Sequence, residues 1–193
     1  EERLTLAAEA IRLFAKISAL NGAPKPLILA TSAVRDAENG PEPTQRVVEG
    51  TGLQMQLISG EKEAELGFRG AVSAVGKSWE GPALVVDLGG GSAQIIVGEP
   101  SNGPLMQVSL PLGSNRTTER FVSNDPPKKK ELRALDEHVK KIMPGWSLAS
   151  QVPVVAVGGS ARAMLKITQD DLTVERLRKL AEEVSEEPSA VLA

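Results

Sequence analysis

The residues most able to do chemistry stand together at the end of an apolar run, in Val85-Val86-Asp87-Leu88-Gly89-Gly90-Gly91-Ser92. Glycines carry no Cβ and can take positive φ angles, so the N–H groups of Gly89, Gly90 and Gly91 can converge on a phosphate oxygen. Ser92 adds a hydroxyl donor. Asp87, at the strand end, is placed to hold a divalent cation directly or through water. A tight hairpin turn accounts for the same glycines equally well. The next residues, Ala93 to Val97, return as a strand, whereas the dinucleotide fingerprint and the P-loop both require a helix there. A second apolar run, Val152 to Val157, leads into Gly158-Gly159-Ser160 and a helix from about Ala161. The chain thus offers two backbone cradles for anionic groups.

Three glutamates open a helical stretch at Gly60-Glu61-Lys62-Glu63-Ala64-Glu65. The plain reading is complementation of the helix dipole, with Ser59 as the cap. Beside a phosphate cradle, one such carboxylate could orient and deprotonate an attacking water. Arg35 follows a buried strand in Thr31-Ser32-Ala33-Val34-Arg35 and could neutralise a phosphoryl group. An ion pair with Asp36 or Glu38 is its plainer reading. Arg116 either faces a cleft or caps a surface helix, and Lys128-Lys129-Lys130 reads as a solvated helix start. His138 is the sole histidine and reads as part of a solvated helix face. There is no cysteine, which excludes thiolate metal sites and cysteine nucleophiles.

These residues need a scaffold, and its period is legible. A first helix places Leu4, Ala8, Ile11 and Ala15 on one face. Strands follow at Pro26 to Ala30 and Leu53 to Ser59, with Asn39-Gly40-Pro41 as a turn and a helix over Thr44 to Thr51. A helix over Glu61 to Val75 carries Ala64, Phe68 and Val72 on one stripe, and Gly76 to Pro82 connects onward. Strands at Ala83 to Asp87, Ala93 to Gly98 and Met106 to Leu110 come next. Helices then cover Ser114 to Val122, Lys128 to Met143 and Leu172 to Val184, the last with Val174, Leu177, Ala181 and Val184 inward. A new strand-rich unit begins near residue 83, so the domains are read as 1–81 and 82–193. Hydrophobic residues make up 41% of the 193 and aromatics 3%, which suits an α/β core of Ala, Val, Leu and Ile. The net charge of −3 argues against a nucleic-acid polymer as partner. No apolar run approaches the roughly 18 residues of a membrane span, and a cytoplasmic setting is expected.

Together these segments resemble the exopolyphosphatase / guanosine pentaphosphate phosphohydrolase (Ppx/GppA) family. The resemblance is carried by Ala30-Thr31-Ser32-Ala33-Val34-Arg35-Asp36-Ala37, by Ile58-Ser59-Gly60 with Glu63-Ala64, and by Val86 to Ser92. Ser109-Leu110-Pro111-Leu112-Gly113 and Ala156-Val157-Gly158-Gly159-Ser160-Ala161-Arg162 continue it in family order. It implies an α/β actin-like (ribonuclease H-like) two-domain fold, the first domain incomplete, with the active site in the interdomain cleft. It implies Glu63 as the base for water, Asp87 as the metal ligand, Gly89 to Ser92 as a phosphate loop and Arg35 as a phosphate contact. Gly158, Gly159 and Ser160 stand as the second phosphate cradle, and Mg²⁺ is the cation. The family's opening loop of the form Asp-x-Gly-Ser-Asn-Ser has no counterpart before Glu1. The acid often found seven residues after the aspartate is here Gln94, a weaker metal ligand and no base.

The expected activity is hydrolysis of the terminal phosphoanhydride of polyphosphate, with guanosine pentaphosphate as the alternative substrate and a homodimer admitted as the assembly. Gln94 and the missing opening loop leave a non-catalytic polyphosphate- or alarmone-binding module open. An actin-like kinase stays open as well, with Gly158-Gly159-Ser160 as its only candidate for an adenosine pocket.

Overall fold

The computed structural model describes residues 2–23, 26–75, 79–146, 152–169 and 172–192. Part of the Gly76 to Pro82 connector lies outside them. The chain divides into two compact units, Glu1–Lys62 and Glu63–Ala193.

In the first unit, helix α1 (Glu2–Leu20) leads to strand β1 (Ile28–Ala30), a single helical turn α2 (Ser32–Arg35), helix α3 (Pro41–Thr51) and strand β2 (Met55–Leu57). β1 and β2 pair in parallel, Ile28 opposite Met55 and Ala30 opposite Leu57. Pro41 is not a turn residue but opens α3, where its fixed φ suits the first helical turn. Gly52, at φ +68°, stops that helix in the left-handed conformation. The inward face expected of α1 holds, with Leu4, Ala8, Ile11 and Ala15 half-buried. A second apolar stripe was not expected: Leu6, Leu13, Phe14, Ile17 and Leu20 are exposed. Arg12 ties α1 to α3, its Nε donating to the Gly50 carbonyl at 3.2 Å.

The second unit is built on a four-stranded sheet in the order β5-β4-β3-β6. Its strands are β3 (Ala83–Leu88), β4 (Ala93–Glu99), β5 (Gly103–Leu110) and β6 (Val154–Val157). β3, β4 and β5 form an antiparallel meander, and β6 joins β3 in parallel. Helix α4 (Gly60–Val75) covers one face, where Ala64, Phe68 and Ala71 pack with Ala83, Val85 and Ile96. Phe68 is 1% exposed and lies over Gly98, where a Cβ would come within 2.6 Å of its ring. Burying such a ring stabilises by about 1.5–3 kcal/mol. This packing places most of α4 with the sheet, so the second compact unit begins at Glu63, earlier than the residue 82 expected from the sequence. The other face carries Ala93, Ile95, Leu110 and Leu112, against which Val139, Ile142 and Trp146 pack. Val139 and Ile142 come from helix α6 (Lys129–Ile142), which follows helix α5 (Ser114–Phe121).

Helix α7 (Gly158–Thr168) starts at Gly158, earlier than the expected Ala161, and α8 (Val174–Glu186) and α9 (Ser189–Leu192) complete the chain. The inward stripe of α8 differs from expectation. Leu180 is buried and Leu177 half-buried, whereas Val174, Ala181 and Val184 are exposed. An ion pair between Arg176 and Glu183 at 3.3 Å accompanies the shifted stripe. His138 is not simply solvated, because its ring lies 4.9 Å from that of Phe121. No helix among the described residues is long and apolar enough to cross a membrane.

The loop before α6 is gathered by one buried carboxylate. Glu131 accepts from Ser123 N–H at 3.0 Å, from Asn124 Nδ2 at 2.8 Å and from Lys128 N–H at 2.8 Å. The Lys128 and Ser123 backbone donors hold its carboxyl below the usual range. A depressed carboxylate stabilises the fold above its unfolded pKa, and that contribution is lost as the pH falls through the folded value. Glu131→Gln therefore lowers the Tm at neutral pH, since its amide sets donors against donors. The gap to wild type narrows in acid; a gap that does not change with pH would contradict this role.

Candidate active site

The β3–β4 hairpin sets the site. Its register pairs Asp87 with Gln94, and β5 adds Ser109 opposite Gln94. Residues paired across a sheet share a face, so Asp87, Gln94 and Ser109 project to the side that α4 covers. They form the polar end of a face that also carries Ala83, Val85 and Ile96. The first turn of α4 lies above that end. Lys62 N–H donates to Ser59 Oγ at 3.1 Å, so the expected cap is present. Glu63 follows, and Ser92 Oγ donates to its Oε1 at 3.4 Å, a long and weak hydrogen bond. Ser92 is buried, as is Gln94, whose Nε2 donates to Ser92 Oγ at 2.8 Å and to Ser109 Oγ at 3.0 Å.

One helical turn beyond Glu63, Gly67 passes over Asp87, with a built Cβ position 3.5 Å from Oδ2. On the other side Gly158 approaches Asp87 more closely. A Cβ there would come within 2.6 Å of Oδ1, and the residue has φ +92°. Only glycine satisfies both conditions. Burial pushes the Asp87 carboxyl above its usual range, and the charge of Arg162 on α7 opposes that rise.

The glycine loop differs from expectation in its backbone. Gly89, Gly90 and Gly91 are not among the residues with positive φ. Close approach bears on this loop chiefly through Gly113. The Asn115 amide would lie 2.9 Å from a Cβ on Gly90. Gly113 is pressed harder still, since its Cβ would fall 2.3 Å from backbone atoms of Gly90 and Gly91. The start of α5 grips the loop by its carbonyls: Ser114 N–H donates to Gly89 O at 2.9 Å and Arg116 N–H to Gly90 O at 3.0 Å. Gly89 N–H donates to Ser92 O at 3.0 Å. The carbonyls of Gly89 and Gly90 are thereby engaged by the start of α5.

Glu63, Ser92 and Gln94 are thus joined by hydrogen bonds, and Asp87 sits between Gly67 and Gly158. Gly158, Gly159 and Ser160 form the first turn of α7, whose cap residue Val157 makes no side-chain capping bond. Arg35 belongs to the first unit. There it donates from Nη1 to Ile58 O at 3.0 Å and pairs through Nε with Asp36 at 3.4 Å, the plainer of the two sequence readings. Sequence reasoning did not assign roles to Gly113, Ser109, Asn115 or Arg162. Arg162 was legible as the residue one turn into a helix that opens at the second glycine pair. The clash at Gly113 depends on a contact between distant segments and had no local signal.

The residues present fit Mg²⁺ in one respect. Mg²⁺ takes one or two carboxylates and completes its shell with waters and substrate phosphates. Asp87 supplies one carboxylate beside the glycine loop, and a cation there would offset what burial costs its charged form. Among the described residues no group of three or more His, Cys, Asp or Glu is gathered, so the remaining ligands would come from water and substrate.

An aspartate before a glycine hairpin, a carboxylate on the covering helix and a second glycine turn at a parallel strand make up the site of this α/β protein. The chain belongs to the Ppx/GppA phosphatase family, whose model matches residues 1–189. It is 38% identical over 122 residues to exopolyphosphatase 1 of Mycobacterium tuberculosis, across 63% of this chain and 35% of that protein. The chain spans about a third of the length of the curated relatives it matches, 35% in each mycobacterial exopolyphosphatase 1. Among solved structures it resembles an exopolyphosphatase-like protein with a TM-score of 0.75 and 32% identity, over 86% of this chain and 53% of that one. The PPX-GPPA enzyme of Aquifex aeolicus matches with a TM-score of 0.68 and 25% identity, over 99% of this chain and 67% of that one.

Gly113→Ala puts a methyl group into backbone that cannot rotate away, and overpacking of this kind costs about 1–3 kcal/mol. Gly159→Ala meets nothing within 4 Å. Thermal melts should show a clear loss for the first and little change for the second. Equal stability in the two would mean that the loop is not braced at Gly113.

Proposed function

We propose that the full-length protein hydrolyses the terminal phosphoanhydride of inorganic polyphosphate. The observation that carries this reading is the Glu63 carboxylate held 3.4 Å from the Ser92 hydroxyl of the glycine loop. A base and a phosphate donor thereby face the same small volume, as in-line attack by water requires.

Gly90 and Gly91 N–H and the Ser92 hydroxyl bind the terminal phosphate and stabilise the charge that builds on its oxygens. Glu63 accepts a proton from the attacking water, whose oxygen bonds to the terminal phosphorus as the bridging oxygen leaves on the shortened chain. The products are orthophosphate and polyphosphate one unit shorter. Gly158, Gly159 and Ser160 offer uncapped helix N–H groups to a second phosphate of the chain. Asp87 would hold Mg²⁺, which when bound neutralises phosphate charge. Several similar proteins carry the name exopolyphosphatase, which favours polyphosphate over guanosine pentaphosphate. The two share the terminal anhydride, so both belong in one assay.

Glu63→Gln in the full-length protein removes the base and keeps the side-chain shape. It should lower kcat for orthophosphate release by about 10²–10⁴-fold with little change in KM. Wild-type turnover retained in this variant would remove Glu63 from the mechanism. Binding of polyphosphate without any release by the wild type would make the protein a binding module.

A further inference from the structure

We infer that Gln94 is a positioning residue whose side-chain amide holds the Ser92 oxygen as an acceptor, so that the single Ser92 hydrogen points toward Glu63 and passes to a phosphate oxygen when one binds. This rests on reading Gly89 to Ser92 as the phosphate loop. Gln94 is 2% exposed, lies opposite Asp87 on one neighbouring strand and opposite Ser109 on the other, and reaches back to Ser92 in the hairpin before its own strand. Its Nε2 spans Ser92 Oγ and Ser109 Oγ, at 2.8 Å and 3.0 Å.

The direction of each bond follows from proton counting. An amide NH₂ has hydrogens to give and accepts nothing, whereas a hydroxyl has a single hydrogen and lone pairs. Ser92 accepts from Gln94, so its own hydrogen must point elsewhere, and the partner found is Glu63 Oε1 at 3.4 Å. The opposite placement of the amide would turn an acceptor toward Ser92, capture that hydrogen and abolish the Glu63 contact. Ser109 holds the second amide hydrogen and so fixes the rotation of the carboxamide. The hydroxyl direction at the phosphate loop is therefore set by a residue that does not itself face the substrate.

An acid at this position would act in the opposite sense. A carboxylate only accepts. It would draw the Ser92 hydrogen inward, leave a lone pair toward the incoming phosphate, and add negative charge beside Asp87. The two roles for position 94 thus predict opposite signs for Gln94→Glu: tighter cation binding if the residue is a metal ligand, weaker anion binding if it orients Ser92.

The test uses the full-length protein with Gln94→Leu, Gln94→Glu, Ser92→Ala, Ser109→Ala and the Gln94→Leu/Ser92→Ala double variant, each checked for folding by thermal melting. Calorimetry measures inorganic triphosphate with and without Mg²⁺, and Mg²⁺ alone. Gln94→Leu should weaken triphosphate binding about tenfold, the worth of one well-placed hydrogen bond. Gln94→Glu should weaken it at least as much, and Gln94→Leu should cost nothing further once Ser92 is Ala. Affinity for Mg²⁺ alone should be unchanged by Gln94→Leu. Side-chain amide NMR gives a readout independent of ligand: Ser92→Ala should displace one Gln94 carboxamide proton and Ser109→Ala the other. Tighter Mg²⁺ binding with undiminished triphosphate affinity in Gln94→Glu would overturn the inference, as would additive losses in the double variant. So would carboxamide signals that ignore Ser92→Ala. A wild type that binds no triphosphate would overturn the phosphate-loop reading, and the carboxamide spectrum separates that failure from a wrong hydrogen-bond pattern.

Discussion

Antiparallel pairing of β3 with β4 places Asp87 directly opposite Gln94 and leaves Gly89 to Ser92 as the hairpin between them. Side chains in a strand alternate between faces, so a slip of one residue would send both to the other side of the sheet, away from α4. The same register lines up Ala83 with Gly98 and Val85 with Ile96 for Phe68 to cover. One pairing therefore fixes the apolar contact that seats α4 and the polar end over which its first turn lies. The position of Glu63 above Ser92 follows from the core.

Close approach, more than unusual backbone angles, accounts for the glycines that matter. Gly113 lets α5 reach the loop carbonyls, and Gly158 lets α7 begin against the Asp87 carboxylate. The effect is a loop whose carbonyls are held by the start of α5, which under the proposed function leaves its N–H groups for an oxyanion. Asp87 is retained at a cost, since burial opposes its charged form and Arg162 offsets only part of that. A half-buried carboxylate kept against its own desolvation suits the cation site proposed for Asp87.

The parts of this account that depend on local pattern were legible in the sequence. Apolar runs marked β3 and β4, the stripe of Ala64 and Phe68 marked the inward face of α4, and Ser59 marked its cap. The order of its motifs along the chain pointed to the family. What was not legible depends on segments far apart in the chain. The brace from Gly113 to Gly90 and Gly91 joins residues that no period relates. The donor role of Gln94 depends on Ser109, fifteen residues away. The stripe of α8 was misplaced because Val174 and Val184 fit the helical period yet remain exposed, while Leu180 takes the core position. At Arg35 the ion pair with the adjacent carboxylate of Asp36 was legible from the sequence and is present.

The most direct test of the central claim is a crystal structure of the full-length Glu63→Gln variant with inorganic triphosphate and Mg²⁺. The account predicts a terminal phosphate held by the amides of Gly90 and Gly91 and the hydroxyl of Ser92, with Mg²⁺ on Asp87. Triphosphate bound elsewhere, with Gly89 to Ser92 facing only solvent, would contradict it.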